Sequence, residues 1–364
     1  MLLVALTMLL QAASPAGAEI DNDGMITVTA QRIDDLATEV AACAAAPCPT
    51  RRDVAVSAAY ASALFEAGRY RDANKVLYAA VSRVKGAAAA EPVAVSQLYA
   101  AQALVAKHYG DSAVTRRATH NSYTVLRDNV GATALPTLTA EFRVAQWQVR
   151  VGRFVEAEAE FARVAQAAAA AGYATLADTS ELYRAQLLAR RGEAVAAFAL
   201  LDAMAARDTS AGNSAVRRAA LATAVRLAND RREAARAEAY AAKLLATGAG
   251  DEPLLLTSRP LPQPRQDIAG WRWVDIGYWI RPDGGVDDVE VLRGSGRYDW
   301  VAPLLGIVET RRYAPTKGTI GHYRVERYTM TADYADAPGA PRMRRTGNPR
   351  FEMTPMTAGA ATPT

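Results

Sequence analysis

Two stretches, Gly68-Arg69-Tyr70-Arg71-Asp72-Ala73 and Gly152-Arg153-Phe154-Val155-Glu156-Ala157, share one pattern: glycine, arginine, aromatic, two variable positions, alanine. A glycine between two runs of helix-forming residues marks the place where one helix stops and the next begins. Gly110 and Gly192 fall in step with these two, and the four breaks are separated by 42, 42 and 40 residues. A fixed period of this size is the signature of a repeat array. Seven positions before the breaks stand Ala61, Ala103, Ala145 and Ala185, and five after them Ala73, Thr115, Ala157 and Ala197. Small residues at such points let paired helices pack closely. A fifth unit is read with its break at Asp230, 38 residues beyond Gly192, and with Thr223 and Ala235 in the matching places. The pattern predicts about five helix pairs over residues 54–246, each covering the apolar face of its neighbour.

This stretch resembles tetratricopeptide repeats, with Leu77 and Phe161 at the large position of the second helix. The period exceeds the usual 34 or so of that family, so each unit must be extended. The resemblance implies an α-solenoid whose first helices line the concave side. In that register Lys107, His108, Gln146, Arg150, Gln186 and Arg190 form a candidate groove for an extended or acidic segment of a protein partner. A solvated helix face explains the same residues equally well.

Beyond residue 246 the composition changes. Arg259-Pro260-Leu261-Pro262-Gln263-Pro264 continues neither helix nor sheet, which makes residues 247–265 a linker. Val274, Ile276, Tyr278 and Ile280 then alternate with polar or variable positions, Pro282-Asp283-Gly284-Gly285 turns the chain, and residues 286–292 make a second strand. Asp299 is read as the N-cap of a helix with the stripe Val301, Leu304, Leu305 and Val308, and Tyr328, Met330, Ala332 and Tyr334 alternate along a last strand. The order is β-β-α-β. The fold class is therefore mainly α with a small α+β domain.

Asp283-Gly284-Gly285-Val286-Asp287-Asp288-Val289-Glu290-Val291, closed by Gly294-Ser295-Gly296 and followed by the helix and Tyr313-Ala314-Pro315, resembles the TonB C-terminal domain family over residues 266–336. The resemblance implies that the domain binds a short receptor segment by adding it to an exposed sheet edge. That edge is the last strand, residues 323–333, whose Tyr323, Val325, Arg327, Thr329 and Thr331 share one face. The partner would be an outer-membrane receptor or the chain's own β-prone run at residues 25–32, Met-Ile-Thr-Val-Thr-Ala-Gln-Arg, which looks like the segment such receptors offer. Two departures stand out. The long proline-rich span of an energy transducer is missing, and so is the Tyr-Pro element that usually precedes the first strand.

Residues 1–10 are apolar apart from Thr7, and Ala16-Gly17-Ala18 fits a signal peptidase, so residues 1–18 are expected to be a cleaved export signal and the periplasm the destination. Residues 19–53 follow as an N-terminal segment carrying Cys43 and Cys48, which an oxidising compartment would join as a disulfide. No transmembrane span is expected in the mature chain. Of the net charge of +4, residues 337–364 contribute 4 − 1 = +3 through Arg342, Arg344, Arg345 and Arg350 against Glu352, which marks that stretch as a basic, disordered tail. The near-neutral remainder has no electrostatic footprint for nucleic acid.

His108, His120 and His322 match no zinc spacing, and no nucleophile elbow, phosphate loop or dinucleotide fingerprint occurs. Asp21-Asn22-Asp23-Gly24 lacks the later acidic ligands of a calcium loop. No catalytic residue, metal or cofactor is expected. The sequence reads as a periplasmic protein–protein adaptor. The alternatives are an energy transducer whose anchor lies upstream of Met1, and an envelope enzyme of unfamiliar type, which would need a polar pocket.

Overall fold

The computed structural model describes residues 25–207, 214–264, 271–296, 299–335 and 344–356. The export signal expected at residues 1–18 lies outside them. Helices come first: α1 (Met25–Ala45), α2 (Thr50–Glu66), α3 (Tyr70–Val84), α4 (Pro92–Tyr109), α5 (Ser112–Asn129), α6 (Leu135–Arg150), α7 (Phe154–Ala170), α8 (Ala174–Arg190), α9 (Ala194–Ala205), α10 (Ser214–Asp230) and α11 (Ala234–Ala246). The smaller part follows as β1 (Leu255–Thr257), β2 (Arg272–Ile280), β3 (Val286–Gly294), α12 (Ala302–Glu309), β4 (Arg312–Tyr313), β5 (His322–Thr331), β6 (Tyr334–Ala335), β7 (Arg344–Arg345) and β8 (Arg350–Met356).

Five helix pairs, α2–α3 through α10–α11, occupy the predicted stretch. Gly68, Gly152 and Gly192 close their breaks identically. Each sits at positive φ; its N–H donates to the carbonyl three residues back, and the next N–H donates to the carbonyl five back. This satisfies the last carbonyls of the preceding helix. Arg232 does the same at a φ of 60°, through Arg232 N–H to Asn229 and Glu233 N–H to Ala228. The fifth break is therefore at Arg232, 40 residues after Gly192, and not at Asp230. Val225 and Ala237 take the two flanking positions and are buried, whereas Ala235 is exposed. In the other four units all eight flanking residues named above are buried.

Residues 25–32 are helical, part of α1, and not a strand. Their β-branched residues disfavour a helix only slightly. The helix continues through Ile33 and Leu36, which lie three apart and pack into the core of the first unit, closing that end of the array. Cys43, within α1, and Cys48, just before α2, are joined by a disulfide.

The main sheet is antiparallel with strand order β3-β2-β5-β8. Two expectations fail here. Residues 350–356 form a strand, and β5 lies inside the sheet, paired with β2 on one side and β8 on the other. The linker is also partly built in: β1 pairs with β4, and Leu254 and Leu256 pack on the core of the last repeats. The helix in the sheet domain begins at Ala302, with Val301 and not Asp299 in the capping position and Pro303 in the first turn, where a missing N–H costs little.

The sheet has two faces. Val274, Ile276, Tyr278 and Ile280 are buried with Tyr328 against α12, and the partly buried Phe351 and Met353 pack on the same cluster. Their alternates, Trp273, Asp275, Arg327, Thr329, Glu352 and Thr354, register opposite one another on the other face, which meets the helical array.

Candidate interaction site

Arg327 is fully buried at the junction. Its guanidinium grips the Asp275 carboxylate with two bonds, Nε to Oδ1 at 2.7 Å and Nη2 to Oδ2 at 2.8 Å. It also donates to the carbonyls of Phe65 and, at 2.7 Å, Glu66. Those two carbonyls end α2, where the helix dipole favours a cation. The Trp273 ring lies 3.9 Å below the guanidinium carbon. Room for that ring exists because residue 68 is glycine: a Cβ there would lie 1.9 Å from Trp273 Nε1. Gly110 has the same double duty, since a Cβ would fall 1.8 Å from the Ala332 carbonyl oxygen. Tyr334 N–H donates to the Gly110 carbonyl at 2.8 Å.

Two residues along β5 from Arg327, Thr329 shares hydrogen bonds with Tyr70 Oη at 3.0 Å and His108 Nδ1 at 2.8 Å, and His108 Nε2 reaches Thr354 on β8 at 2.8 Å. Burial, reinforced by Lys107, holds His108 well below the ordinary imidazole range. The ring is neutral, so one nitrogen donates to its threonine and the other accepts. Beside it, Glu352 of β8 takes a hydrogen bond from Arg150 Nε at 2.8 Å and another from its strand neighbour Arg350 at 2.8 Å, with Lys107 Nζ 3.8 Å away. Burial would raise the Glu352 carboxyl, but Lys107, Arg150 and Arg350 outweigh it and hold the group at about 2. Asp333 completes the cluster, accepting from Ser112 at 2.5 Å and Arg350 at 2.8 Å.

Three of the six groove residues, Lys107, His108 and Arg150, thus meet at one place, and what they hold is the protein's own β8. The other three do not join them: Gln146 donates to Tyr183 Oη at 3.0 Å, Arg190 stacks on Phe154 at 5.2 Å, and Gln186 Nε2 is buried without a partner. The five residues read as a peptide-binding edge share a face, as expected, but it is not an edge. Arg327 and Thr329 bind the array, Val325 and Thr331 are buried opposite Met356 and Arg350, and Tyr323 packs on Trp279 at 5.2 Å.

Asp275, Trp273, Glu352 and Thr354 were missed. The signal for the last two was present in Phe351-Glu352-Met353-Thr354, a strand alternation set among prolines and arginines. Ser295 Oγ accepts from Trp273 N–H at 2.9 Å. A second buried network joins Arg311 to Glu326 at 2.8 Å, with Tyr278 and Tyr328 beside them, and ties the end of α12 to the sheet. Among the described residues, no three His, Cys, Asp or Glu side chains are grouped to hold a metal ion.

No protein-family model matches the chain, and no curated protein sequence matches it. Solved structures similar to it include BtubC (BKLC) from P. vanneervenii, at 13% identity and a TM-score of 0.48, covering 66% of this chain and 99% of that one. A kinesin-light-chain-type protein of Podosopora anserina with nearly identical TPR-like repeats matches at 14% identity and a TM-score of 0.47, covering 56% and 97%. Rap protein complexed with Competence and Sporulation Factor matches at 8% identity and a TM-score of 0.40, covering 63% and 66%. The repeat architecture rests on the helix pairs themselves and not on these likenesses.

Proposed function

We propose that this chain is an exported, non-enzymatic adaptor of a Gram-negative cell envelope, in which helical repeats and a TonB-like sheet domain together hold extended protein segments. The observation that carries the reading is the seating of β8. This extended strand pairs with β5 and turns Glu352, bonded also by its own Arg350, to the cations Lys107 and Arg150. Backbone pairing supplies adhesion in such an arrangement, and side-chain partners supply selectivity. The resemblance of residues 266–336 to the TonB C-terminal domain points to outer-membrane receptors as partners. Among the described residues no helix is long and apolar enough to cross a membrane.

Cell fractionation combined with photo-cross-linking tests the reading, with the reactive group at the exposed Ile320 and Val195. The expected result is a periplasmic chain that begins after Ala18 and cross-links to a discrete protein. A chain that keeps its first residues in the cytosol, or that cross-links to nothing but itself, overturns it.

A further inference from the structure

The strands of the main sheet differ in how firmly they are built in. Residues 325–331 of β5 are all buried, whereas every residue of β8 is partly exposed and pairs on one side. A stretch of sequence containing Pro338, Gly339 and Pro341 precedes β7 and β8. What holds β8 is a code of alternating side chains. Toward α12 go Phe351, stacked on Trp300 at 5.8 Å, and Met353; toward the array go Glu352, to Lys107 and Arg150, and Thr354, to His108.

Apart from β8's own Arg350, which also bonds Glu352, the receiving side belongs to other parts of the chain: α4, α6, Trp300 and the backbone ladder of β5. If β8 left, Lys107 and Arg150 would lose the Glu352 carboxylate, Arg150 keeping Asp333 at 3.7 Å, His108 would lose an acceptor or donor, and β5 would expose its ladder. Each loss is costly in a half-buried setting. A segment that restores the same contacts removes that cost, and one lacking the acid does not.

We propose that β8 is the resident occupant of an exchangeable peptide site, and that a partner protein enters by presenting an extended aromatic-Glu-aliphatic-Thr segment that takes its place on β5. Charge complementarity selects the occupant, because two cations on the array converge on one strand position. The proposal deepens the adaptor reading and rests on it: it names where the partner binds and what the partner must carry. Until a matched segment arrives, the protein's own strand keeps out weaker ones.

The test uses the full chain, its Glu352→Arg variant, and a fluorescent peptide of the sequence of residues 347–356. In the variant, Lys107 and Arg150 repel the resident strand, and the peptide should bind at least about tenfold more tightly than to the unaltered chain. Replacing the peptide's glutamate by glutamine should lose at least about tenfold of that affinity, and Lys107→Glu with Arg150→Glu should abolish it. The envelope partner should cross-link more strongly to Glu352→Arg, and excess peptide should compete it away.

A folded variant that ignores the peptide overturns the proposal. So does equal binding of the Glu and Gln peptides, a dimer in which a second copy supplies the strand, or a partner that the peptide does not displace. If Glu352→Arg fails to fold, the unaltered sequence with a protease site inserted between Gly339 and Ala340 takes its place. After cleavage the labelled peptide should replace the resident strand, and no exchange overturns the proposal. Peptide exchange in purified protein is read independently of partner capture in the envelope, so the two readings fail separately.

Discussion

Arg327 meets three needs with one guanidinium: it neutralises the buried Asp275, caps the carbonyl end of α2 and covers Trp273. Stranding one partner of a buried pair costs roughly 3–5 kcal/mol, but Asp275 also accepts from Arg293 Nε at 2.7 Å, so Arg327→Met leaves the carboxylate half-paired. It should therefore lower unfolding stability by less than that full cost, and Arg327→Met with Asp275→Asn by less again, as measured by urea midpoints. Equal losses in the two would show that the pairing contributes little.

The neighbouring titrations set a pH window. His108 faces Lys107 on its own helix, Arg150 from α6, Arg327 from β5 and Glu352 from β8. Its folded value lies below the unfolded one, near 6.5, so its contribution to stability is complete above about pH 6.5 and falls as the unfolded state takes up a proton below that. Glu352, held at about 2 against 4.5 when unfolded, contributes fully above pH 4.5 and loses that contribution as pH drops toward 2. His108→Gln should flatten the upper part of the stability profile and Glu352→Gln the lower part. A profile unchanged by either substitution would contradict this assignment.

At the scale of elements, the helix pairs were legible because glycine punctuation and buried small residues recur in step. Ala145, fully buried, is the sharpest case. Ala145→Leu should destabilise the chain by about 1–3 kcal/mol through overpacking, and calorimetry showing no change would sink the register. The fifth break was misplaced by two residues because Arg232 adopts a left-handed conformation that sequence habits assign to glycine. Residues 25–32 misled in the opposite sense. Local β-propensity is weak beside the packing of Ile33 and Leu36 on the core, which carries α1 through them. The candidate site was half visible. Lys107, His108 and Arg150 could be read from helical register, whereas their ligand lay about 200 residues away in a stretch whose arginines and prolines suggested disorder: Glu352 is 202 positions from Arg150. No local pattern encodes that pairing.

The whole molecule is closed on itself twice. β5 and β8 dock on α2, α4 and α6, while β1 and its surroundings pack on α10, where Arg218 also donates to the Pro315 carbonyl at 3.3 Å. With both contacts buried, repeats and sheet should unfold as one. Hydrogen exchange should show the protected amides of β5 and α4 opening with the same free energy, and independent opening would refute the coupling.

An unbraced solenoid is a spring, because each repeat touches only its neighbours and small rotations add along its length. Here the sheet domain spans from the first three coils to the fifth and acts as a strut across them. Stretching the array would therefore load the strut first, as shear along β5 and β8, and the coils would extend only after it had yielded. The compliance of the molecule under tension is set by a few side chains at the strut's feet, with Arg327 at one and Arg218 at the other.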